Sequence, residues 1–100
     1  MPKIAFLVLK SPGEQDPTHI VKRVADRQDA TAILIEDGVY QAVLAGAAEK
    51  LGKAASDVLV SREDLEARGF SASDLKVGRT AEYADMVDCI MERTDRTMTV

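Results

Sequence analysis

Ile33-Leu34-Ile35-Glu36-Asp37-Gly38-Val39 decides how this chain is read. The apolar run does not alternate, so it matches a strand buried on both faces, as in the middle of a parallel sheet. It stops at acidic residues and a glycine, and then turns into a segment rich in alanine and glycine. In an open α/β sheet such a junction, at the carboxyl end of a strand, is where a ligand, a partner or a chemical step is usually placed. The strand ends here offer hydroxyls and a carboxylate but no cysteine or histidine.

Working outward, Ile4 to Leu9 is a second run apolar on both faces, closed by Lys10-Ser11-Pro12-Gly13. Asp16-Pro17 supplies a helix cap followed by proline at the first helical position, where its missing N–H costs nothing. Ile20, Val21, Val24 and Ala25 then recur at helical spacing, which predicts a helix to about Arg27. Thr31 to Ile35 is the next strand. One helix follows from Asp37 or Gly38 to about Gly52, with Val39, Val43, Ala47 and Leu51 inward. Ala42, Ala45 and Gly46 are small enough on it to admit another backbone.

Ser56 to Val60 predicts a third strand, and Ser61-Arg62-Glu63-Asp64 has the form of a capping box opening a short helix, Arg62 to Ala67, that ends at Gly69. Ser71 to Asp74 repeats the box. Lys76-Val77-Gly78 reads as a short fourth strand. Thr80 would cap a last helix that turns Tyr83, Val87, Ile90 and Met91 inward, and Met98-Thr99-Val100 would add an edge strand. Strands alternating with helices define an α/β fold: a three-layer sandwich around a mostly parallel four- to five-stranded sheet.

The 100 residues fit a single domain, 1–100. With 46% apolar but only 4% aromatic residues, the core must be aliphatic. A domain this small leaves a large share of its surface exposed, so self-association would add useful burial. The net charge of −4 and scattered basic residues argue against direct nucleic-acid binding. The longest apolar run is far short of the ~20 residues that span a bilayer, and the N-terminus does not form a signal peptide. The expectation is a soluble, cytoplasmic protein without membrane contact. One cysteine and one histidine exclude an intramolecular disulfide and, by themselves, a structural zinc site. No metal and no cofactor is expected.

Four segments, in this order, carry a resemblance: Lys10-Ser11-Pro12, Glu36-Asp37-Gly38-Val39, Glu63-Asp64-Leu65-Glu66-Ala67-Arg68-Gly69-Phe70 and Glu82-Tyr83-Ala84-Asp85-Met86-Val87. Together they resemble the DsrH/TusB branch of the DsrE-like sulfur-relay superfamily. The resemblance implies a DsrE-like α/β fold and an oligomer, homomeric or mixed with DsrE-like and DsrF-like subunits. It also implies a place in a relay that moves sulfur as cysteine persulfide, toward tRNA thiolation or dissimilatory sulfur metabolism, with this branch often the structural subunit. Carrier members of the superfamily hold the active cysteine on a loop or helix start. Here Ser11, Asp37 and Ser61 stand at the strand ends, and the first helix has no cysteine.

Cys89 is the alternative. A persulfide carrier needs a nucleophilic thiolate. On a helical wheel anchored by Tyr83, Val87 and Ile90, Cys89 faces solvent beside Asp85, Glu92, Arg93 and Arg96. Exposure permits reaction there, but the site is mid-helix and acidic neighbours oppose the thiolate, so the default is an incidental surface or interface thiol. His19, in the first turn of its helix, reads as a surface residue, and Ser61 as a cap. Tyr40, Tyr83 and Met86 could serve an interface or the core. The expected function is therefore a non-catalytic accessory subunit acting by protein–protein contact through a rim of Ser11, Pro12, Asp37, Gly38, Val39 and Ser61. The alternatives are sulfur transfer at Cys89, or a small-ligand-binding homo-oligomer, unrelated to sulfur, using the same rim.

Overall fold

A computed structural model describes residues 2–100. The apolar runs form the centre of the sheet. β1 (Ile4–Val8) pairs in parallel with β2 (Ala30–Leu34), Ile4 opposite Ala30 and Val8 opposite Leu34. β2 pairs with β3 (Asp57–Ser61), which in turn pairs with the short β4 (Arg79–Ala81). β5 (Arg96–Thr99) closes the other edge against β1. The result is an all-parallel five-stranded sheet in the order β4-β3-β2-β1-β5, within the expected three-layer α/β sandwich.

The two faces of the sheet are covered unequally. Ile4, Phe6 and Val8 of β1 point to the same side as Ala30, Ala32 and Leu34 of β2 and Val58 and Val60 of β3. Against them pack α1 (Thr18–Val24) through Val21, α2 (Tyr40–Val43) through Ala42, and α3 (Ala45–Ala54) through Leu51 and Ala54. On the opposite side Ala5, Ile33, Leu59 and Ala81 meet Met86, Cys89 and, partly buried, Ile90. These come from α5 (Tyr83–Asp88) and the π-helical turn Cys89–Arg93 that continues it.

Several local expectations hold. The Asp16 carboxylate accepts the Thr18 N–H at 2.9 Å, and helical bonding begins with Val21 N–H to the Pro17 carbonyl at 3.1 Å. That hydrogen bond, first of all, holds the Asp16 carboxyl below the usual carboxylate range, with Lys50 helping. A depressed native pKa means the cap stabilises fully above the unfolded-state value, and its contribution is lost as pH falls through the native one. Asp16→Ala is therefore expected to cost about 0.5–1 kcal/mol at neutral pH. In urea melts across acid pH the difference from wild type should vanish once Asp16 is protonated; a pH-independent gap would contradict the assignment.

Other expectations shift. The helix predicted from residue 37 or 38 to 52 is divided: a 3₁₀ turn, Glu36–Val39, leads into α2, and Leu44 is extended (φ −91°, ψ 119°) before α3 begins. The break resets the phase, so Ala48, Leu51 and Ala54 face inward. Ala42 does admit another backbone, its carbonyl accepting the Lys76 N–H at 2.8 Å, whereas Ala45 and Gly46 are exposed. The fourth strand begins at Arg79 rather than Lys76, because Gly78 turns the chain at φ +77°, tight against the Val58 backbone. Thr80 lies within β4. The cap of α5 is Glu82, whose N–H donates to the Asp85 carboxylate at 3.0 Å.

Among the described residues no helix is long and apolar enough to cross a membrane.

Candidate functional site

The carboxyl ends of β1, β2 and β3 carry the rim residues, and most of them are already occupied by the fold. At the end of β1, the Ser11 hydroxyl donates to Glu14 at 3.3 Å. Pro12 joins Asp16, Gln41, Gly46, Ala47 and Lys50 around a cavity of about 240 Å³ on the thickly covered side of the sheet. Gln41, only 3% exposed, donates to the carbonyls of Lys10 at 3.2 Å and Gln15 at 3.1 Å, so one buried amide pins both ends of the loop after β1. The sequence had marked neighbours of Gln41 but not Gln41 itself; a polar residue in an apolar stretch of helix was the available signal.

At the end of β2 the chain runs against β1. Ile35 N–H donates to the Val8 carbonyl at 3.1 Å, and Gly38 packs on the same carbonyl so closely that a Cβ would stand 1.9 Å from its oxygen. Gly38 and Val39 are thus buried wall, with no surface to offer. Glu36 takes a left-handed conformation, φ 50°, which costs a non-glycine residue about 1 kcal/mol or more. A polar clamp from α4 (Arg62–Ala67) holds it there. Asp64 accepts the Glu36 N–H at 2.8 Å, while Arg68 grips the Asp37 carboxylate at 2.9 Å and the Asp64 carbonyl at 3.0 Å.

Ser61, 6% exposed, accepts the Asp64 N–H at 3.3 Å and so caps α4 as expected. The box is only half formed, because the Asp64 carboxylate has gone to Glu36. Ser61 lines a second cavity, about 260 Å³, on the thinly covered side together with Ile35, Glu36, Glu63, Glu82 and Tyr83. The rim therefore divides. Pro12 looks onto one cavity and Ser61 onto another, Ser11 bonds within the loop after β1, and Asp37, Gly38 and Val39 lie in the 3₁₀ turn at the end of β2.

Cys89 corrects the helical wheel. It is 2% exposed and packs among Ala5, Ile33, Leu59, Ala81 and Met86, whereas Tyr83, Val87 and Met91, expected inward, are exposed. The last helix carries two apolar stripes, one through residues 83, 87 and 91 and one through 86, 89 and 90. The small floor of Ala5 and Ala81 accepts the second, whereas the wheel had been anchored on Tyr83 and Val87 of the first together with Ile90 of the second. Burial, above all, pushes the Cys89 thiol pKa up; Arg93 and Arg79 pull against this, Asp57 and Asp88 with it. The thiol borders a cavity of about 180 Å³ with Lys3, Asp29, Asp57 and Arg93, near the amino ends of the strands and so opposite the rim. One carboxylate oxygen of Asp29 is buried without a hydrogen-bond partner among the described residues.

Of the other residues singled out, Met86 is core and Tyr40 packs edge-to-face on Phe70, with ring centroids 5.7 Å apart. His19 is exposed at the start of α1. Among the described residues, no cluster of three or more His, Cys, Asp or Glu side chains is arranged to hold a metal ion.

The family model described as "DsrH like protein" matches residues 10–96. No curated protein matches the chain.

Proposed function

The chain belongs to the DsrH-like family, and from that premise we propose that it is an accessory subunit of an intracellular sulfur relay, working by contact with other subunits and carrying no persulfide of its own. The observation that carries this reading is the position of Cys89. A sulfur carrier exposes a thiolate to a partner's sulfur. The one thiol of this chain is buried where the turn after α5 meets the sheet and is favoured in its protonated form.

The strand-end hydroxyls do not substitute for it. Ser61 is occupied as a helix cap and Ser11 bonds within its own loop. Contact is what remains, and in this reading the partners are DsrE-like and DsrF-like subunits in a cytoplasmic assembly, with tRNA thiolation one destination of the sulfur and dissimilatory sulfur metabolism the other.

The test is intact mass spectrometry of the native protein after exposure to a low-molecular-weight persulfide. Such a donor transfers its outer sulfur to a thiolate and leaves as the thiol. The native chain is expected to keep its mass, while the chain unfolded in urea gains one sulfur at Cys89. A one-sulfur adduct on the native chain, lost on thiol reduction and absent from Cys89→Ser, would overturn the accessory reading in favour of a carrier.

A further inference from the structure

The thin side of the sheet is left unfinished. One helix crosses it; Leu7 and Ile35 beside it, and Ile90 on the turn that continues it, are only partly buried. Those residues, with Ile33, Tyr83 and Val87, line an apolar trough of about 160 Å³. The trough shares Ile35, Tyr83 and Met86 with the cavity below Ser61, so the two form one continuous groove. Beside it the stripe of the last helix that the sheet does not accept stands in the open: Tyr83 is 77% exposed, Val87 41% and Met91 72%. Tyrosine and methionine are the residue types enriched at protein interfaces. A grouped apolar surface of this kind usually marks an interaction site.

The charge around the groove identifies what covers it. At the strand-end side the rim is acidic: Glu36 and Glu63 make no ion pair among the described residues, and Glu82 has Arg62 at 2.6 Å. A second copy of this acidic chain is a poor match. Pairing along the last helix brings together two chains that each carry a net charge of −4. A pairing displaced toward the other end of the helix meets Arg79 and Arg93, which are already committed to Asp57 at 3.3 Å and Asp88 at 3.5 Å. Like charges in apposition disfavour a partner, and opposite charges select and steer it.

We infer that the groove along Tyr83, Val87 and Met91 is the docking surface for a different protein subunit, one that lays apolar side chains into the trough and brings lysine or arginine against Glu36, Glu63 and Glu82. The inference rests on the accessory-subunit reading and adds to it the surface and the chemistry of the partner's face. It also explains why the strand-end residues on the other side of Asp37 need take no part in assembly.

The probes are a DsrE-like and a DsrF-like subunit, mixed singly and together with this chain and followed by native mass spectrometry and sedimentation. Two variants are compared with wild type, each checked by circular dichroism: Tyr83→Asp with Met91→Asp, and Glu36→Lys with Glu63→Lys. Both pairs are exposed, so folding should be retained. Each is expected to weaken the complex at least tenfold, and the lysine variant should also lose the tightening that wild type shows at low salt. If wild type binds and the folded variants bind equally well, the groove is not the docking surface and the accessory reading stands. If wild type binds neither subunit, both fall. If the chain instead pairs with itself through residues 83 and 91, the heterologous partner is wrong.

Discussion

Gly38→Ala is expected to destabilise the protein by about 3 kcal/mol, at the top of the range for an overpacked core site. The added methyl group would stand 1.9 Å from the Val8 carbonyl oxygen, and that oxygen belongs to the backbone of a central strand. It also accepts the Ile35 N–H, so relief of the clash must move β1 and β2 apart where they are paired. The same substitution at Gly46 provides the control. Gly46 lies inside α3 with nothing within 4 Å of its absent side chain, and alanine there should stabilise by about 0.5–1 kcal/mol. Urea unfolding of the two variants should bracket the wild-type midpoint. A neutral Gly38→Ala would mean that the turn after β2 does not lie against β1 as described.

Phe6→Ala is expected to cost about 3–5 kcal/mol. Phe6 is completely buried, on the side of the sheet where β1, β2 and β3 meet three helices, and no other phenylalanine or tyrosine is fully enclosed. The neighbours across the strands, Ala32 in β2 and Met98 in β5, are respectively too small and only partly buried, so neither fills the space it leaves. Against a total of about 5–15 kcal/mol for a domain, the loss would bring the chain near its unfolding threshold at body temperature. The denaturation midpoint measures it; a cost below about 1 kcal/mol would show that the aliphatic core repacks without Phe6.

The fold was legible where both faces of an element agree. Ile4 to Leu9 and Ile33 to Ile35 are apolar throughout, and only a central parallel strand buries both sides. Asp16-Pro17 and Ser61 announced helix starts through local hydrogen bonding that tertiary contacts reinforce rather than override. Legibility failed where a segment is apolar in more than one direction. The last helix offers two stripes of similar hydrophobicity, and the choice between them was made by Ala5 and Ala81 on strands far away in sequence. The intramolecular partners of the rim were hidden for another reason. Arg68 reaches the Asp37 carboxylate across 31 positions, and Asp64 reaches the Glu36 N–H across 28, contacts that no local pattern announces. Gln41 and the exposed stripe through Tyr83 are equally products of assembly, because neither loop closure nor incomplete coverage leaves a local mark.

The burial of Cys89 has a consequence for any assembly in which sulfur is handed from thiol to thiol. Every accessible thiol along such a route is a competing acceptor, and a sulfur atom taken by the wrong one is delayed or lost to solvent. On the accessory reading proposed above, a subunit whose single thiol is buried among Met86, Ile33 and Leu59 does not compete for its neighbours' cargo. It can sit beside the route, shaping it, without becoming a dead end on it.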